Sequence, residues 1–281
     1  MKPEDTNSRR PAEGSSAPER RYVITGAASG IGRAVAELAA EEGAALFLVD
    51  LDETRLGQVA EDLSQRGVRV ETTISDLTDP AQPRQVIENA VQFLGGLDVL
   101  VSNAGAPQYY RLTDLTVDAF DTAIALNVRA HWLLGQAAHP WLAESHGNLV
   151  ATGSTTGHNP APPQGAYSVA KAALLMLVKQ MALEWGPDGI RCNSVSPGPT
   201  RTGLTEGVFN DPTDPKQAAI ITLRESHLPL RKIGEAREVA EAIMFLGSPR
   251  ASQITGVDLL VDGGISVALM EAAGVGAGRS S

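Results

Sequence analysis

The chain has 281 residues, 43% hydrophobic and 20% charged, a balance that can bury a sizeable core and excludes a low-complexity or fibrous chain. A formal net charge of -10 repels phosphate backbones and anionic lipid, which argues against nucleic acid or a membrane surface as the main partner. The one cysteine, Cys192, precludes an intrachain disulfide or a cysteine-held metal cluster and fits a reducing cytoplasm.

Residues 1–20 combine Pro, Glu, Ser, Arg and Gly with almost nothing apolar, so a disordered arm is expected. The apolar core of a signal peptide is missing there, and no run of about twenty apolar residues marks a membrane span. Short apolar runs at 22–25, 46–50, 68–74, 99–102, 148–152, 191–196 and 258–261 then alternate with stretches of helical period. The expected fold class is α/β: a single-domain, doubly wound, Rossmann-like parallel sheet of about seven strands over residues 21–264, with helices on both faces. Between 203 and 233 the alternation breaks at Asn210-Asp211-Pro212 and Asp214-Pro215, as a substrate loop or lid would break it. Residues 265–281 read as a tail, in which Met270 and its apolar neighbours could meet another subunit.

Thr25-Gly26-Ala27-Ala28-Ser29-Gly30-Ile31-Gly32 follows the first strand and opens the first helix, the context of a dinucleotide-binding turn. Gly26, Gly30 and Gly32 let the backbone turn tightly beside a pyrophosphate. Ser29 and Ile31 start a helix whose free N–H groups and positive dipole end would face that anion. The spacing is G-x-x-x-G-x-G rather than G-x-G-x-x-G, and a turn that merely packs helix on strand would read alike. Asp50 ends the second strand, where a carboxylate accepts hydrogen bonds from the adenosine ribose and repels a 2′-phosphate. With no neighbouring cation, this residue favours NAD over NADP, although a turn aspartate would look the same.

Tyr167 and Lys171 stand four apart at the head of a helical run, which puts both side chains on one face. Lowering a phenol from its usual pKa of about 10 by three units takes about 4 kcal/mol. A unit charge at about 4 Å supplies that much at an effective dielectric near 20, so Lys171 is expected to make Tyr167 a usable base. Ser154 follows the fifth strand, at the carboxyl edge where such sheets bind ligands. Its hydroxyl could polarise a carbonyl or alcohol oxygen. The histidines lack metal-ligand spacing, so no metal is expected, and most read as surface or packing residues. His158, Gln164, Tyr109 and Tyr110 are candidate substrate-pocket residues. Arg201, Arg224 and His227 could recognise an anionic substrate, while Trp185 is expected to pack at the end of the Tyr–Lys helix.

Together these residues resemble the short-chain dehydrogenases/reductases of the compact kind, from about residue 21 to 264. The family's Ser, then Tyr thirteen on, then Lys four further matches Ser154, Tyr167 and Lys171, and Leu126-Asn127-Val128 matches its helix Asn. The turn at 25–32, Asp76 with Leu77 on the adenine side, Asn103-Ala104-Gly105, and Pro197-Gly198 with Thr200 and Thr202 resemble its cofactor segments. Gly153 departs from the second Ser that many members carry. The resemblance implies that Tyr167 exchanges the proton and Ser154 steadies the reacting oxygen. Lys171 would lower the Tyr167 pKa and bind the nicotinamide ribose, and Asn127 would hold a water that links Lys171 to solvent. It also implies a homotetramer. The reading is a cytoplasmic oxidoreductase interconverting a secondary alcohol and a ketone with NAD, on a small molecule such as a polyol or sugar, an alicyclic diol or a hydroxy acid. The alternatives are an NADP-dependent ketone or 3-oxoacyl reductase and a NAD-binding regulator that does no chemistry.

Overall fold

Seven apolar runs become seven parallel strands: β1 (Arg21–Thr25), β2 (Ala45–Asp50), β3 (Val70–Ile74), β4 (Val99–Ser102), β5 (Asn148–Thr152), β6 (Arg191–Pro197) and β7 (Asp258–Val261). The structure, a computed structural model, describes residues 19–268. The expected arm, as far as residue 18, and the tail from residue 269, with Met270, lie outside the described residues. The strand order is β3-β2-β1-β4-β5-β6-β7. It reverses between β1 and β4, and in such sheets the ligand crevice opens outside the carboxyl ends at that reversal.

Successive residues of each strand feed opposite cores, because side chains alternate across a sheet. Ile24, Leu46, Leu48 and Val101 face α1 (Gly30–Glu41), α2 (Glu53–Gln65) and α9 (Ala236–Gly247). Val23, Phe47, Val49 and Leu100 face α3 (Gln82–Leu94), α5 (Ala130–Ser145) and α6 (Gly165–Trp185). Burial on both faces explains why β2, β4 and β5 read as unbroken apolar runs. The third strand begins at Val70, two residues later than expected, and as an edge strand it is only half covered.

Two features interrupt the regular winding. Between α4 (Val117–Ile124) and α5 the chain makes a π-turn, Ala125–Arg129, which carries Asn127 inward. After β6, the stretch expected as a lid folds into a short turn at Gly203–Thr205, then α7 (Glu206–Phe209) and α8 (Pro215–His227). Phe209, Ile221, Leu228 and Ile233 give it a small core of its own, and a two-residue ladder between Thr200–Arg201 and Gly234–Glu235 closes its neck. The longest helix, α6, is apolar and long enough to cross a membrane by length and composition alone. Its Leu174, Val178, Met181 and Ala182 are instead buried against the sheet.

Candidate active site

Gly26 and Gly30 hold φ of 68° and 54°, left-handed values that other residues rarely adopt. Gly32 needs its bareness for another reason: a Cβ there would sit 2.1 Å from the Gly26 carbonyl oxygen. Ser29 makes no side-chain cap to α1, which leaves the first-turn N–H groups without a side-chain acceptor in a bare cradle, with Ile31 half-buried beside them. Asp50 sits at the rim of that cradle. Its carboxylate accepts from the Ala28 N–H at 2.9 Å and from the Leu51 N–H at 2.7 Å, which fixes its position beside the turn. Next door, Asp76 accepts from the hydroxyl and backbone N–H of Thr78, which holds its carboxyl below the ordinary range, and Leu77 is buried.

Asn103 ties three strand ends together. Its amide donates to the Thr25 carbonyl at 3.0 Å, and its oxygen accepts from the Thr152 hydroxyl at 2.9 Å. Ala104 is anchored on the Thr25 hydroxyl. Gly105 leaves room for a polar pair: a Cβ on it would meet Asn127 Oδ1 at 2.8 Å and Lys171 Nζ at 3.2 Å. Asn127 donates to the Ala123 and Ala106 carbonyls, but its buried Oδ1 has no partner among the described residues. Asn127 and Lys171 therefore converge on one buried polar spot beneath this turn.

Tyr167 and Lys171 head α6 one turn apart, and Ser154 closes β5 beside them. Ser154 Oγ lies 3.0 Å from Thr156 Oγ1, and the hydroxyl is near enough to Tyr167 to lower its pKa. The expected effect of Lys171 on the phenol is not what this geometry gives. The ammonium donates to the Thr152 carbonyl at 2.8 Å and sits 5.6 Å from the Tyr167 ring centroid. Burial pushes the Tyr167 phenol up to about 12, against a lowering by Ser154, and burial pulls Lys171 down to about 7. In the protein alone desolvation governs both groups, with Lys171 buried and Tyr167 half-buried.

The other candidates divide. Gly198 packs against Asp262, which a Cβ would strike at 2.7 Å, and Pro197 ends β6 beside it. Thr202 then runs over the glycine turn, its Cβ 3.0 Å from where a Gly30 side chain would begin. Tyr109 is 57% exposed and close enough to raise the Tyr167 pKa, and Tyr110 pairs with Gln164 in an isolated bridge. His158 has its Nε2 committed to Asp258 at 2.6 Å, which leaves only Nδ1 for any substrate. Arg201, Arg224 and His227 are engaged within the segment that follows β6 or at its neck. Arg201 pairs with Glu235 at 2.9 Å, Arg224 stacks on the Phe209 ring, and His227 bonds to the Leu223 carbonyl. Trp185 packs edge-on to His139 at the end of α6.

The family described as enoyl-(acyl carrier protein) reductase matches residues 26–266. An oxidoreductase, UcpA of Escherichia coli O157:H7, is 35% identical over 246 residues, covering 86% of this chain and 92% of its own. A solved short chain dehydrogenase from Burkholderia cenocepacia J2315, in complex with NADP, superposes with a TM-score of 0.80 at 32% identity, covering 88% of this chain and 97% of its own. This chain belongs to the short-chain dehydrogenase/reductase family. Another relative, 2-(S)-hydroxypropyl-CoM dehydrogenase 3 of Xanthobacter autotrophicus (strain ATCC BAA-1158 / Py2), is 36% identical over 87% of this chain and 95% of its own. As a short-chain dehydrogenase/reductase, the protein is an NAD(P)-binding oxidoreductase.

One departure within this short-chain dehydrogenase/reductase has a physical cause. Gly153 cannot be a serine here: a Cβ would lie 2.4 Å from Ser196 Oγ, which is held on Asp258 together with Ser194. His131, one of the histidines expected to be mostly surface or packing residues, is buried one turn beyond Asn127, with Nδ1 2.8 Å from Ser102 Oγ. Burial, aided by the charge of Lys171, pulls its imidazole down to about 3. No spacing signal marks it, because its partners come from β4 and α6.

Proposed function

We propose that this protein reversibly oxidises a secondary alcohol to a ketone with NAD. The observation that carries the reading is the convergence of Ser154, Tyr167, Lys171 and Asn127 at the carboxyl edge of the sheet, next to a bare glycine cradle. That cradle fits a dinucleotide, since Gly26, Gly30 and Gly32 leave the backbone exposed where side chains would fill the space. Gly26, Ser29, Gly30, Ile31 and Gly32 would hold its pyrophosphate, Asp50, Asp76 and Leu77 the adenosine half, and Asn103, Ala104 and Gly105 the middle. Pro197, Gly198, Thr200 and Thr202, with Tyr167 and Lys171, would hold its nicotinamide half. Nicotinamide supplies the hydride acceptor. Ser154 would orient the alcohol oxygen, and Tyr167 would take its proton as the phenolate, a form that the positive charge of a bound oxidised nicotinamide would favour. Lys171 hands that proton on toward the buried Asn127 oxygen, which supports a water-filled exit.

Asp50 supports NAD over NADP, because a carboxylate at this place repels a 2′-phosphate. The Burkholderia structure in complex with NADP keeps the second reading, an NADP-dependent reductase, in the test. A neutral hydroxylated substrate, a polyol or alicyclic diol, fits better than a hydroxy acid. Arg201, Arg224 and His227 are already engaged, and the buried amide oxygens of Gln108 and Gln164, unpartnered among the described residues, would accept hydroxyl donors. We place the protein in the cytoplasm, with a buried Cys192 whose thiol burial pushes up to about 12, and assemble it as a homotetramer.

The test is turnover of secondary alcohols with NAD and NADP separately, beside Tyr167→Phe. Turnover with NAD that falls by about 10²–10⁴ in the variant, with NAD binding kept, is the expected result. Unchanged turnover in the variant would overturn the mechanism. NAD binding without turnover of any alcohol would favour the regulator.

A further inference from the structure

The lid is rooted on the cofactor cradle through a polar staple rather than through packing. Thr202 and Gly203 lie against Gly30 and Ser29, where added Cβ atoms would come within 3.0 Å. Behind this root opens a recess of about 480 Å³, lined by Gly30, Arg33, Arg201, Thr202, Gly203 and Asn210. Among the described residues its only apolar side chains are those of Ala34 and Ala236, so hydrogen bonds carry the root.

Those bonds converge on two side chains. Thr205 Oγ1 accepts from the Thr202 N–H at 2.9 Å and lies 3.0 Å from the Thr200 carbonyl, 3.1 Å from that of Thr202 and 3.1 Å from Asn210 Oδ1. One hydroxyl proton serves one of these three acceptors at a time. Asn210 makes up the difference, its Nδ2 donating to the Thr202 carbonyl at 2.9 Å. Its own backbone N–H donates to Gln217 Oε1 at 2.9 Å, which ties the staple to α8.

We infer that Thr205 and Asn210 are positioning residues that hold Thr200 and Thr202 in register against the nicotinamide half of the cofactor, and so set its affinity from the lid. The inference rests on the cofactor reading above. Neither side chain touches the cofactor in this account; both act through the Thr200 and Thr202 backbone.

The test compares NAD with AMP, which lacks the nicotinamide half, by calorimetry on the parent, Asn210→Ala, Thr205→Val and Thr205→Ser. NAD affinity is expected to fall about tenfold in Asn210→Ala and Thr205→Val, with AMP affinity unchanged, and to return in Thr205→Ser, which keeps the oxygen. Equal losses for NAD and AMP would mean that the cradle itself had collapsed and would overturn the inference. Unchanged NAD affinity in both damaging variants would overturn it too. A parent that binds neither ligand would sink the cofactor reading and the staple's role with it. Because the two damaging variants alter different residues, poor folding of one leaves the other as the test.

Discussion

His131 shows how one buried ring can set the acid stability of the whole protein. Its folded pKa is pulled down to about 3 from the usual 6.5 by burial and by Lys171, while its unfolded value stays near 6.5. Between these values the unfolded chain binds the extra proton, so stability is fully present above about pH 6.5 and is lost as pH falls toward 3. The slope from this one group approaches about 1.4 kcal/mol per pH unit. Urea unfolding at pH 7 and pH 5 is therefore expected to show a gap of up to about 2 kcal/mol that shrinks in His131→Gln. Equal gaps in parent and variant would show that the ring is not kept neutral. At the same scale the proposed preference for NAD rests on Asp50. Asp50→Ala removes the charge that excludes a 2′-phosphate and is expected to lower the NAD-to-NADP ratio of kcat/KM by at least about tenfold, roughly 1.4 kcal/mol. An unchanged ratio would sink the NAD assignment.

At the scale of elements, glycines separate by what surrounds them. Gly57 lies inside α2 with nothing within 4 Å of an added Cβ, so Gly57→Ala is expected to stabilise the protein by about 0.5–1 kcal/mol, read as a raised midpoint in urea. Gly32→Ala drives a Cβ onto the Gly26 carbonyl and is expected to cost more than about 2 kcal/mol and to abolish NAD binding. Equal effects at both positions would contradict the packing described. The same contrast marks what the sequence could tell. Buried strands such as β4 and β5 were legible because both faces are covered and polarity has nowhere to alternate. The turn at 25–32 and the pair Tyr167 and Lys171 were legible because their chemistry is local. The Thr200–Arg201 ladder to Gly234–Glu235 and the His158 bond to Asp258 were not, since each depends on residues far apart in the chain. The expected lowering of Tyr167 by Lys171 failed for a related reason. A four-residue spacing fixes a shared face but says nothing of how far burial shifts each group.

At the scale of the whole molecule, α6 carries two faces with different uses. Leu174, Val178 and Met181 enter the core, whereas Val169, Met176 and Leu183 recur every seven residues along the other side and are 48%, 63% and 75% exposed. Trp132 and Trp141 on α5 add large apolar surface, at 44% and 37% exposure. A stripe at heptad spacing is unusual on a monomer, where contiguous apolar patches rarely exceed a few hundred Å². The proposed homotetramer would seat a second copy of the chain on this face, since two-fold contacts pair a surface with itself. Met176→Glu would bring two carboxylates together at a symmetric contact and desolvate both. Sedimentation velocity is expected to find the parent as a tetramer and this variant as smaller species, with its secondary structure by circular dichroism unchanged. A tetramer that survives the substitution would move the subunit contact away from α6. A monomeric parent would mean that the stripe faces solvent or a different protein, and the homotetramer would then have to be abandoned.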